Sequence, residues 1–222
     1  MSNESGASLA AVAAAAQPTR ARLWIELALL FAGLPTIYLL GFVPLEKIPF
    51  LLLIVAVLGA ALAFDPSFDR RLLWNAAPLR PEVPRILATF AIGAAGIAAF
   101  TAVVFPERLF ELVRDEPRTW AVLMVAYPLL SVYPQEIVYR TFFYHRYAGL
   151  FADRWTRIAV NAAAFGYMHV VYENWVAVVF TAIGGAMFAY TWERTRSTAA
   201  VSFEHALFGC LMFTIGLGAF FS

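Results

Sequence analysis

The 222-residue chain is 62% hydrophobic and 14% charged, with a net charge of +1 and a mean hydropathy of +0.72. Soluble domains carry about 25% charged residues, so this composition excludes an ordinary soluble domain and points to a polytopic membrane protein. No basic run indicates a nucleic-acid partner, and the single cysteine, Cys210, excludes an internal disulfide framework.

Residues 1–19 are rich in Ala and Ser, with no Lys or Arg before Arg20. The stretch lacks the basic start of a signal peptide and reads as a disordered cytoplasmic tail. Crossing hydrocarbon takes about 20 apolar residues. Stretches of that kind fall at 23–43, 48–64, 86–105, 119 to about 144, about 155–172, 175–192 and 198–221. The expected fold is an all-α, polytopic transmembrane helix bundle of about seven spans, with its core in the last four helices. The connection over residues 65–85 carries Pro, Asp and Arg, as a loop does.

Charge bias orients the spans. With the N-terminus cytoplasmic, Arg20, Arg22, Arg70, Arg71, Arg80, Arg85, Arg146, Arg154, Arg157, Arg194 and Arg196 lie on the cytoplasmic side, whereas Lys47, Arg108, Arg114 and Arg118 lie opposite. Trp24, Trp120, Trp155, Trp175 and Trp192 fall at span ends, where interfacial belts place aromatics. The first three spans, within residues 20–118, hold Glu26 as their one ionisable residue and read as accessory helices. Residues 119–222 hold every other candidate site. No repeat relates the halves, so an inverted-repeat transporter gains no support.

The fourth span contains Pro128 and Pro134. Pro134 directly precedes Gln135-Glu136 and suits either the first position of a fresh helical segment, with Glu136 near its positive end, or a packing kink. Glu136 and Arg140 are one turn apart, acid first, the favoured order for an intrahelical pair. His169 ends the fifth span, with Phe165 one turn earlier; Glu173, one turn later, belongs to an external turn. Glu204-His205 lies about eight residues into the last span, roughly 12 Å deep. Adjacent residues point about 100° apart, so His205 is expected at a shared cavity and Glu204 beside it. His145, next to Arg146, reads as an interface residue. Ionisable groups at such depth are costly and tend to be buried together for a function.

Gln135-Glu136-Ile-Val-Tyr-Arg140, Phe165-Gly-Tyr-Met-His169 and His205-Ala-Leu-Phe-Gly209 resemble, in order and spacing, the motifs Glu-Glu-x-x-x-Arg, Phe-x-x-x-His and His-x-x-x-Asn of the CPBP family. These are the CAAX-protease and bacteriocin-processing intramembrane proteases, also called ABI proteins. The resemblance covers about residues 119–218 and departs at Gln135 and Gly209. It implies an intramembrane endopeptidase that hydrolyses a peptide bond of a membrane-associated protein or peptide. It also implies a multi-pass location, in bacteria the cytoplasmic membrane, and a cavity open to the cytoplasmic half. Family substrates include prenylated C-terminal CAAX proteins.

By the same resemblance, Glu136 with His169 activates water, His205 stabilises the oxyanion and Arg140 holds the carboxylate. Gln135 and Phe165 border the substrate. Asn161 or Asn174 stands in for the asparagine missing at Gly209. The family is described both as a metalloprotease and as a glutamate protease, and Glu136, His169 and His205 could supply three ligands to a divalent metal such as zinc. Two other readings remain: a catalytically inactive scaffold or immunity-type protein that keeps the fold, which the two departures favour, and a transporter subunit.

Overall fold

The computed structural model describes residues 18–221. The expected tail therefore lies outside the described residues, except for its last two positions. Among the described residues seven long helices carry the fold, in chain order α1 (Arg20–Leu39), α2 (Lys47–Phe64), α3 (Leu79–Val104), α4 (Pro117–Leu150), α5 (Arg154–Met168), α6 (Trp175–Thr195) and α7 (Thr198–Ile215). No strand occurs among the described residues.

Six of these helices, all but α5, are long and apolar enough to cross a membrane. The α5 helix has 15 residues, about 22 Å at ~1.5 Å per residue, which is short of the hydrocarbon thickness. It continues as a 3-10 turn, His169–Tyr172, so the expected span ends in a turn of changed geometry at the histidine. Phe64, Ile92 and Val103 are among the large apolar side chains left exposed, as a lipid-facing surface requires.

Local chemistry sets the ends of the later helices. Asp153 caps α5 by accepting from the amides of Trp155 and Thr156, Asn174 caps α6 through Ala177, and Ser197 caps α7 through Ala200. The loop expected to reach residue 85 is shorter than the sequence suggested, because α3 begins at Leu79. Pro81 lies in its first turn, where a missing N–H costs little.

The α4 helix is the axis of the core. Its buried aromatics Tyr139, Phe143 and Tyr147 receive Phe31 of α1 edge-on, with ring centroids 5.2, 5.4 and 6.0 Å away. Both α5 and α6 close on it and pack tightly on each other, since a Cβ on Gly166 would stand 2.7 Å from that of Ala182. Small residues facing each other let membrane helices approach this closely.

Neither proline breaks α4. The helix runs through both and widens into π-helical turns at Pro128–Val132 and Ile137–Phe142. Glu136 therefore sits inside a continuous helix and has no free helix N-terminus beside it.

Ion pairs join the first three helices to the rest. Arg146 of α4 holds both oxygens of Glu26 at 2.8 Å, and the Tyr147 hydroxyl donates to the same carboxylate at 2.9 Å. On α3, Glu82 pairs with Arg194 of α6 at 2.7 Å and with Arg85 at 2.6 Å.

Candidate active site

Glu136 on α4 and His205 on α7, 69 positions apart, form a direct hydrogen bond. His205 Nδ1 lies 2.7 Å from Glu136 Oε1, and Glu136 is fully buried. Arg140 Nε stands 3.3 Å from the other carboxylate oxygen, an ion-pair distance without hydrogen-bond geometry. The guanidinium is itself held by the Gly185 carbonyl at 3.3 Å and lies over the rings of Phe165 and Phe188, 4.6 and 5.6 Å from their centroids. A carboxylate oxygen facing an arginine serves as an acceptor, so the His205 nitrogen facing it is the donor.

His169 and His205 line one cavity of about 280 Å³ between α3, α4, α6 and α7. Phe165 separates them, its ring centroid 4.9 Å from that of His169 and 5.5 Å from that of His205. His169 Nδ1 is 2.8 Å from the Phe165 carbonyl oxygen. A carbonyl can only accept, so Nδ1 carries the proton and a neutral His169 keeps Nε2 bare. A departure from regular α-helical geometry accompanies each polar group: the wider π turn of α4 begins right after Glu136, and the tighter 3-10 turn begins at His169.

The other expected residues divide between cavity and core. Gln135 donates from Nε2 to Ser131 Oγ at 2.7 Å, leaves Oε1 without a partner, and lines two neighbouring clefts. Asn161 lines neither cavity that His169 touches; it is fully buried and its amide donates to the Tyr139 carbonyl in the π turn of α4. Asn174 is engaged as the α6 cap and donates to the Tyr172 and Phe220 carbonyls. Both asparagines are spent on backbone, so neither supplies the donor missing at Gly209. Glu136 itself is not among the residues that line the cavities His169 touches.

The donor set does not fit a three-ligand zinc site. Glu136 and His205 spend their facing atoms on each other, and no group of three His, Cys, Asp or Glu residues is arranged to hold a metal ion among the described residues.

Glu204 turns away from His205. It is fully buried, accepts from the Thr191 hydroxyl and lies 3.6 Å from Arg85 of α3. Sequence reasoning missed Arg85 and Thr191 here, and it missed Tyr127, whose hydroxyl lies 3.3 Å from His205 Nε2. Nothing in the sequence links Tyr127 to His205; Gly209, small where a polar side chain was expected, was the one available hint.

Residues 117–211 match the family model described as Type II CAAX prenyl endopeptidase Rce1-like. This is the CAAX-protease family whose motifs the sequence resembles. The match takes in α4, α5, α6 and most of α7, the helices that carry Glu136, Arg140, His169 and His205. No curated protein and no solved structure matches the chain.

The cavities extend toward the end of the bundle that bears Lys47 and Tyr172, opposite the arginine-rich end. An N-terminus in the cytoplasm would set that end away from the cytoplasm, and a CAAX-protease cavity open to the cytoplasmic half would set it at the cytoplasm. Charge bias supports the first and the family resemblance the second.

Proposed function

We propose that the chain is an intramembrane endopeptidase of the CAAX-protease type. It hydrolyses a peptide bond of a membrane-associated protein or peptide inside the cavity between α4 and α7. The observation that carries this reading is His205, held by a buried carboxylate at 2.7 Å while its ring lines a cavity shared with a second histidine. A carboxylate on Nδ1 fixes the tautomer with Nε2 bare and stabilises the imidazolium that forms, the division of labour of a carboxylate–histidine dyad.

In this reading His205 Nε2 takes a proton from water, the water oxygen adds to the scissile carbonyl, and the same proton passes to the leaving amine as the C–N bond breaks. His169, with Nε2 free, accepts a hydrogen bond from the second O–H of that water, which stays intact, and so orients the attacking oxygen. Glu136 and Arg140 act through His205 and are positioning residues. This reverses the roles that the family resemblance implies for Glu136 and His205, because it is the imidazole that reaches the cavity. Orientation follows charge bias, with the N-terminus cytoplasmic and the cavity facing the opposite half of the membrane.

The substrate enters from lipid. A cleft between α1, α2 and α4, lined by Leu30, Phe31, Leu34 and Ile54, ends at Gln135. Its apolar walls suit the anchoring tail of a membrane-bound substrate, a prenyl chain included, and the buried, unpartnered Gln135 Oε1 suits a peptide N–H. In this arrangement α1 and α2 form one wall of the entry path, and residues 119–222 form the catalytic core.

Quantitative proteomics of membranes containing the wild type or His169→Ala tests the proposal. A cleavage product present with the wild type and lost with the variant is expected. Identical peptide inventories would favour the inactive scaffold, to which Gln135 and Gly209 already give support.

A further inference from the structure

Four polar side chains line the histidine cavity: Tyr127, His169, Thr181 and His205. Peptide hydrolysis needs a hydrogen-bond donor where negative charge develops on the carbonyl oxygen. Thr181 has committed its hydroxyl to the Ala177 carbonyl at 2.6 Å. His169 has spent its N–H on the Phe165 carbonyl, and His205 has spent its N–H on Glu136. With both imidazoles neutral, each offers the cavity a bare nitrogen. The remaining polar hydrogen belongs to Tyr127, and in the resting arrangement it points along a 3.3 Å contact to His205 Nε2.

The backbone of α7 is shaped around that hydroxyl. A Cβ on Gly209 would stand 2.2 Å from Tyr127 Cε1 and 2.5 Å from its hydroxyl oxygen. These separations are far inside van der Waals contact, so no residue larger than glycine fits there while the ring keeps its place. The ring is fixed further by edge-on packing against Phe213, with centroids 5.1 Å apart. The position where the family motif has an asparagine is thus filled, in space, by a tyrosine from α4.

We propose that Tyr127 is a catalytic residue, the oxyanion donor of this site, and that Gly209 is small so that its hydroxyl can reach the scissile carbonyl. The assignment rests on the hydrolytic reading above. When water displaces the long Tyr127–His205 contact and begins to lose its proton to Nε2, the hydroxyl hydrogen turns to the carbonyl oxygen. It stays on Tyr127 throughout, so it strengthens with the developing charge and leaves no proton to be returned. The donor and the base stand 3.3 Å apart, which lets one tetrahedral centre touch both.

The test uses purified full-length protein in liposomes, with an internally quenched farnesylated peptide ending in a CAAX sequence as probe substrate. Tyr127→Phe keeps the ring that packs against Gly209 and removes the hydroxyl. It is expected to lower kcat by about 10²–10³-fold with KM within about twofold, the loss typical of one oxyanion donor. It should also weaken binding of a phosphinate analogue of the scissile bond by a similar factor, because that analogue mimics the transition state. An unchanged melting temperature shows that the variant folds. Tyr127→Ala combined with Gly209→Asn, which opens the space and supplies an amide, should recover part of the rate lost by Tyr127→Ala alone. Wild-type kcat in Tyr127→Phe, alongside a dead His205→Ala, would overturn the assignment and leave the hydrolytic reading standing. Failure of the wild type to cleave the probe above empty liposomes would overturn both.

Discussion

Two glutamates, on α4 and α7, lie fully buried among the described residues, each beside an arginine, yet they keep different company. Glu136 is bonded to an imidazole that lines a cavity, and its arginine is sealed beneath aromatic rings. Glu204 is bonded to the Thr191 hydroxyl and pairs at 3.6 Å with Arg85, a residue that also pairs with the partly exposed Glu82–Arg194 network at the arginine-rich end. Charge burial alone does not mark a functional carboxylate. What separates the two is whether the neighbour that shares the charge can itself meet a substrate.

Substitution should separate them sharply. Glu136→Gln keeps shape but removes the charge that fixes and supports His205. It is expected to lower kcat by about 10²–10⁴-fold with little change in KM, and Glu136→Asp should recover part of the loss. Glu204→Gln should leave kcat nearly untouched and cost about 1–3 kcal/mol of stability, the penalty for disturbing a buried polar group. Thermal unfolding in detergent, read beside the liposome assay, gives both numbers; equal effects of the two variants on kcat would erase the distinction.

Next in size is Arg140→Leu, which strands a buried carboxylate. Removing one member of such a pair costs about 3–5 kcal/mol, so the variant should melt well below the wild type and accumulate poorly. Arg85→Leu should cost less, because Glu204 keeps its Thr191 hydrogen bond. A reversed order of melting temperatures would mean that the Arg85 network, and not the Arg140 site, bears the larger electrostatic load.

The smallest effect is expected outside the membrane. The hydrogen bond from His145, helped by Ser67, holds the Asp65 carboxyl down to about 2 from its ordinary 3.8. An acid depressed in the folded state adds stability above its ordinary value and loses it as pH falls toward the folded value. Asp65→Asn should therefore cost a few tenths to about 1 kcal/mol at pH 5, because the pair is partly exposed. That cost should shrink between pH 4 and pH 2. A deficit that stayed constant across this range would assign the effect to packing.

The helices and most of the cluster were legible from the sequence because both follow local rules. Apolar length marks spans, and Glu136 with Arg140, or Phe165 with His169, are neighbours by helical spacing alone. Which nitrogen meets which oxygen was not legible. It depends on the π turn after Glu136 and the 3-10 turn at His169, departures from regular geometry that no periodicity encodes. Asn161 shows the same limit: its residue type suits an oxyanion donor, but the nearest unmet need was a backbone carbonyl freed by the widened turn of α4. Contacts across helices, such as Tyr127 with His205 or Arg85 with Glu204, join residues 78 and 119 positions apart and are fixed only by packing. The small residue at Gly209 makes sense only once the ring of Tyr127 is seen against it.

In the proposed mechanism Glu136 works through His205. A double-mutant cycle tests it most directly, with kcat/KM measured for the wild type, Glu136→Gln, His205→Ala and the double variant on the farnesylated probe. Residues acting as one unit are strongly non-additive, so the double variant should be no slower than His205→Ala alone. Losses that multiply would show that Glu136 acts independently of His205, and would contradict the account.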